Sequence, residues 1–242
     1  MYDELQSDRI HETLGALARR IGERFPDSGL GRVCAALEAL AVDVDATTDR
    51  LRGPLWPVRL LGGVGIAIVL GVALTLAGFT LKEVSHGATS LPEFLQGIEA
   101  AINDVVLIGL AVFFLATLES RIKRRLALRS LHRLRSLVHI VDMHQLTKDP
   151  EHLITPGLAT RSSPEHKLTR FEMSRYLDYC SELLSLASKL AALHVQHFSD
   201  SVVLAAVNDV ETLSGALSAK MWQKIVILDR ARPESPERLP AF

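Results

Sequence analysis

Cysteine is scarce in this chain: among 242 residues only Cys34 and Cys180 occur, far apart and in no CxxC spacing. That leaves no basis for a disulfide framework or a thiolate zinc site, and both are read as free thiols. Catalytic signatures are missing as well, since there is no HExxH and no GxSxG elbow. The glycines around Gly65 do not make a nucleotide loop, because no strand precedes them and no Lys-Ser/Thr follows. No segment shows strand-type alternation of apolar and polar residues over a useful length. The net charge of -1 gives the whole chain no electrostatic reason to bind nucleic acid.

Charge itself is absent from residues 60–81, in a chain that is 23% charged. As a helix this run is about 33 Å long, enough for a hydrocarbon core of about 30 Å. A second apolar run, 105–118, is about 21 Å long and too short to cross unaided. Extended back to Ala100 it reaches adequate length, with Asn103 and Asp104 near one membrane boundary. The expectation is therefore an all-α membrane protein built on a transmembrane hairpin, 60–81 and 100–118, within a segment 54–118. Because the first run follows a charged N-terminal region, it is read as an uncleaved anchor and not as a signal peptide.

Lysine and arginine flank the inner side of this hairpin. Arg50, Arg52 and Arg59 precede the first run, and Arg121, Lys123, Arg124, Arg125, Arg129, Arg133 and Arg135 follow the second. The connecting segment 82–99 carries only Lys82, so both termini are expected in the cytoplasm, with the connection as an exposed loop on the far side. In a bacterial cell the membrane would be the inner one.

The polar segments read as helices. Ile10, Leu14, Leu17 and Ile21 recur at helical spacing, and after the RFPDSGLG turn so do Leu30, Val33, Leu37, Leu40, Val44 and Leu51, predicting an N-terminal helical hairpin over 1–53. The second membrane helix is expected to continue unbroken to Pro150, since no Gly or Pro intervenes. A loop with Pro150, Pro156, Gly157 and Pro164 occupies 147–168. Thr169 and Glu172 then fit a capping box, and Asp200 fits an N-cap for a last helix. There Val203, Val207, Val210, Leu213, Leu217, Met221, Ile225 and Leu228 repeat as in a coiled-coil seam. Three long helices of similar length predict an antiparallel three-helix bundle over 119–230. Residues 231–242 read as a disordered tail.

Five groups are candidates for function. Gly63, Ala67 and Gly71 place small residues every four positions, which lets membrane helices pack closely, either within the chain or between copies. Asn103 and Asp104 form a polar site that is functional if it lies inside the bilayer and merely hydrated if it lies at the interface. Arg121, Lys123, Arg124, Arg125, Arg129 and Arg133 suit anionic lipid headgroups, each worth about 1 kcal/mol near a charged leaflet. No stacking aromatic interrupts that run, which speaks against nucleic acid. Seven of the nine histidines fall between His132 and His197, and His139 with Asp142 and His194 with His197 are i,i+3 pairs able to present metal ligands. Tyr176, Tyr179 and Trp222 are candidate aromatic anchors of a subunit contact, with the bundle core as the favoured alternative for Trp222. The reading is a non-enzymatic, self-associating membrane protein that serves as an assembly, a scaffold or an ion-conducting pore, with the lipid bilayer and anionic lipids as partners and no cofactor. The alternative is a membrane-anchored enzyme or metal-binding protein using the histidine-bearing helices.

Overall fold

The computed structural model describes residues 4–84, 91–148, 150 and 168–230, and every regular element among them is a helix. In chain order these are α1 (Ser7–Arg24), α2 (Gly29–Arg52), α3 (Trp56–Val84), α4 (Leu91–Ala116), α5 (Leu118–Leu146), α6 (Arg170–Gln196) and α7 (Ser201–Arg230). They form two compact units, Gly53–Arg125 and the remainder, Met1–Arg52 with Leu126–Phe242. The expected tail 231–242 and most of the expected loop 147–168 lie outside the described residues.

The larger unit is assembled from amphipathic faces. In α1 the buried residues are Ile10, Leu14, Leu17 and Ile21, one stripe at three- and four-residue spacing. Full burial of side chains such as Leu14, Leu17 and Ile21 contributes about 1.5–3 kcal/mol each. The turn after α1 uses Asp27 at φ 57, a left-handed conformation that Asp tolerates better than most side chains. Ser28 then caps α2, its Oγ accepting from the Gly31 amide at 3.1 Å. The capping box of α6 forms as its sequence pattern predicts, with Glu172 N donating to Thr169 Oγ1 and Thr169 N to Glu172 Oε2. Asp200 Oδ1 likewise accepts from the amides of Val202 and Val203 at the start of α7.

Helix α6 is apolar around much of its circumference, from Met173 through Leu177, Leu183, Leu184 and Leu190 to Leu193. A helix of that kind belongs in the middle, and α1, α2 and α7 all pack against it. The segments expected as a separate N-terminal hairpin and a C-terminal bundle therefore lie together in one unit. From Leu126 onward α5 joins this unit through Leu131, Leu134, Val138 and Val141. It is tied to α2 by Arg133 and Asp43 at 2.7 Å and to α7 by Arg135 and Asp209 at 3.7 Å. Its C-terminal end is held by Lys224 of α7, whose Nζ donates to the Gln145 carbonyl, the Gln145 side-chain oxygen and the Lys148 carbonyl. A cation placed there complements the helix dipole and satisfies carbonyls that the helix leaves unpaired.

Trp222 is the clear departure from expectation. It is 64% exposed, because Met221 and Ile225 take the core positions of that turn and leave the indole on the outer surface.

The smaller unit is the pairing of α3 with α4. Helix α4 begins at Leu91, well before the expected 100, with Pro92 in its first turn where the missing amide has no partner to lose. Only residues 85–90 separate it from α3, and they lie outside the described residues. The expected unbroken helix is interrupted at Thr117, between α4 and α5. There the Thr117 hydroxyl donates to the Phe113 carbonyl at 2.8 Å, beside ladder bonds from Thr117 N to Phe113 O and from Arg121 N to Thr117 O, each 3.1 Å. Such back-bonding perturbs a helix locally.

Three segments are long and apolar enough to cross a membrane: one within Gly29–Phe79, Leu95–Ala116 and Ser201–Arg230. The third is α7, whose apolar stripe is already buried in the larger unit. In α3 and α4, by contrast, residues such as Leu60, Leu74, Phe79, Val105, Leu110 and Phe113 are exposed.

Gly29 makes a specific demand. A Cβ there would come within 2.4 Å of the His144 ring, so Gly29→Ala is expected to destabilise the larger unit by about 1–3 kcal/mol through overpacking. Denaturant unfolding of the full-length protein measures this. In a His144→Ala background the loss should largely vanish, whereas an equal loss in both backgrounds would place the strain elsewhere.

Candidate functional site

The α3–α4 pair carries the most distinctive arrangement, and it uses glycines other than the expected ones. A Cβ on Gly62 would lie 3.2 Å from the Leu115 carbonyl oxygen, and one on Gly65 would lie 3.0 Å from the Leu115 side chain. These two residues allow the close approach. The partly buried stripe continues through Ile66, Val69 and Ala73 on α3 and through Ile108, Ala111 and Val112 on α4. Gly63 and Gly71 would meet nothing within 4 Å, and Ala67 is exposed, so this second small-residue row lies on the side of α3 turned away from α4.

A charged clasp closes one end of the pair. Glu119, at the start of α5, accepts from the backbone amide of Leu55 at 3.1 Å and from Arg59 Nε at 2.8 Å, and pairs with Lys123 Nζ at 3.2 Å. Burial disfavours its charge, but the Leu55 amide and the Lys123 and Arg59 side chains outweigh that and hold the carboxyl below its ordinary range. The clasp satisfies an amide at the start of α3 and fixes where α3 and α5 begin relative to each other. Sequence reasoning passed over Glu119, although it and Arg59 are the first charges flanking the two apolar runs.

The remaining candidates fall apart in space. Asn103 and Asp104 lie within α4 and are exposed, with no hydrogen-bond or ion-pair partner among the described residues. Of the basic residues, Arg121 stacks on the Phe114 ring at 4.9 Å and Lys123 belongs to the clasp. Arg124 is partly buried, Arg125 and Arg129 are exposed, and Arg133 is paired with Asp43. His139 is exposed, and Asp142 accepts instead from Gln145 Nε2 at 2.7 Å. His197 is exposed where α6 ends, while His194 is fully buried. Among the described residues no three His, Cys, Asp or Glu side chains come together to hold a metal ion. Tyr176 and Tyr179 are buried, edge-on to Phe25, and so are not surface anchors.

The thiols are equally withdrawn. Burial pushes Cys34 up to about 12, with Glu38 adding to the effect, and burial pushes Cys180 up to about 12 as well. Neither is a reactive nucleophile at neutral pH. A cavity of about 400 Å³ in the larger unit is lined in part by Ser28, Arg32, His144, Lys148 and Tyr176. Lys148 Nζ sits 5.5 Å from the Tyr176 ring centre.

The chain matches no known protein family, no curated protein and no solved structure.

His194 generates a pH dependence. Its Nδ1 faces the carbonyls of Leu190 and Ala191, both at 3.1 Å, and its Nε2 is buried without a partner. Desolvation lowers its pKa, against a smaller upward pull from those carbonyls. The folded ring is therefore neutral where the unfolded one takes up a proton, and the stability this contributes is complete above about pH 6.5 and lost as the pH falls below it. Unfolding midpoints should drop between about pH 7.5 and about pH 5, and His194→Leu should flatten that slope. An unaltered slope in the variant would assign the dependence to other groups.

Proposed function

We propose that the chain is a two-pass membrane protein in which α3 and α4 cross the bilayer as a hairpin, with both termini in the cytoplasm, and that copies associate through the membrane helices. The observation that carries this reading is the spacing of charge along α3. Arg59, held in the clasp with Glu119, and Lys82 bracket a charge-free stretch of about 34 Å, close to the hydrocarbon thickness of a bilayer. Between them both helices satisfy their own backbone groups and expose apolar side chains, as lipid requires.

The orientation follows from the excess of lysine and arginine beside the clasp over the single Lys82 at the other end. Arg121, Arg124 and Arg125 then meet the anionic headgroups of the cytoplasmic leaflet. Self-association is supported by the row Gly63, Ala67 and Gly71, which the chain's own α4 leaves open. Two helices enclose no pathway through a bilayer, so an assembly of several copies is needed for either a scaffold or an ion-conducting pore.

Topology tests this reading directly. The native thiols are buried, so Ser85→Cys introduces the one reactive thiol, between the two membrane helices. A membrane-impermeant maleimide should label it in intact cells or right-side-out vesicles, and the protein should stay in the membrane through alkaline carbonate extraction. Labelling only after the membrane is opened would overturn the orientation, and release by carbonate would overturn the spanning helices.

A further inference from the structure

We propose that Asp104 is the carboxylate of a cation site inside the bilayer, taking a proton or an alkali cation and completed where the hairpins of neighbouring copies meet. The inference rests on the two-pass reading above and adds to it a depth for this side chain.

The depth comes from the register of α3 against α4. Two independent contacts agree on it: Gly62 and Gly65 lie level with Leu115, and Arg59 lies level with Glu119. The helices run antiparallel, so each residue further along α3 matches one residue further back along α4. Asp104 then falls level with Leu74 and Thr75, about 22 Å from the Glu119 clasp and about 12 Å short of the level of Lys82. Glu99, about 8 Å closer to the outer end than Asp104, reaches the level where headgroups begin. Asp104 does not, and a side chain with one methylene is too short to carry its charge to the interface as lysine and arginine do.

Position on the helix adds a second constraint. Asp104 stands four residues before Ile108 and so continues the stripe of Ile108, Ala111 and Leu115 that meets α3. The cover gives out before reaching it. Ala73 is the last partly buried residue on the α3 side among the described residues, and Leu76 beyond it is 55% exposed. Thr75, at the same level, donates its hydroxyl to its own Val72 carbonyl. One chain therefore supplies a carboxylate and the neighbouring Asn103 amide at this depth, and among the described residues no ion pair to Asp104 forms. A carboxylate in that position is neutralised by a cation. A proton needs one oxygen, whereas an alkali cation needs several, which identical residues on neighbouring copies would supply.

Carbodiimide labelling of the full-length protein in its membrane tests this, read by mass spectrometry on Asp104 and Glu99. A bilayer-soluble carbodiimide should modify Asp104 at least about tenfold faster than a water-soluble one does, and Glu99 should show the opposite preference. Asp104→Asn should remove the first signal and leave the Glu99 signal in place. Slowing by sodium or potassium chloride at constant ionic strength would identify an alkali cation, and indifference to both salts would identify the proton. Equal reaction of Asp104 and Glu99 with the water-soluble reagent would overturn the inference by placing Asp104 in the hydrated interface, and no reaction of Asp104 with either reagent would overturn it by showing a sealed side chain. Neither result would disturb the two-pass reading, which fails separately if carbonate releases the protein.

Discussion

The charge-free run 60–81 is the constraint from which the rest of the account follows. Its apolar side chains have to leave water, and the protein gives them little cover, since α4 buries one face of α3 and leaves the other open. In the larger unit the same requirement is met by protein. There α7 is as long as α3 and apolar enough to be a candidate span, yet Val203, Val207, Val210, Leu217, Met221, Ile225 and Leu228 all enter a shared core. What separates the two helices is periodicity: α7 gathers most of its large apolar residues into one buried stripe, with scattered ones such as Val202, Leu204, Trp222 and Ile227 outside it, and α3 distributes them all round.

Periodicity also decides what could be read from the residues. The stripes of α1 and α2, the capping box at Thr169 and the Asp200 cap are local patterns with one physical solution, and they occur in the structure where the residues place them. The start of α4 was hidden because Pro92, Glu93 and Glu99 resemble a polar connection, although proline in a first turn and a carboxylate there, as at Glu93, are both favourable. The turn at Thr117 was hidden because neither glycine nor proline marks it, and threonines making the same back-bond, Thr13 and Thr47, sit in unbroken helices. The union of the first two helices with α6 depends on contacts between residues far apart in sequence, which no local pattern reports.

Of the candidate sites, the part that depended on residue type was legible and the part that depended on facing was not. The region around Gly63 offers small residues on two sides of α3, and spacing alone cannot say that Gly62 and Gly65 meet Leu115 while Gly63 and Gly71 stay open. The histidine pairs had correct helical spacing, but in each pair one member is surface-exposed and the other has different business, Asp142 with Gln145 and His194 in the core. The larger unit spends its buried polar groups on structure: Lys224 and Gln145 finish α5, and His194 turns inward to its own helix.

The open row of Gly63, Ala67 and Gly71 on α3 and, separately, the uncovered carboxylate of Asp104 on α4 support the central proposal, that one chain is an incomplete membrane unit. The mass of the particle in nanodiscs measures this most directly, with the 26.6 kDa chain as the counting unit. A defined multimer is expected, reduced to smaller species when Gly63 and Gly71 are both replaced by leucine. A monodisperse single chain in a native-like lipid mixture would contradict the account.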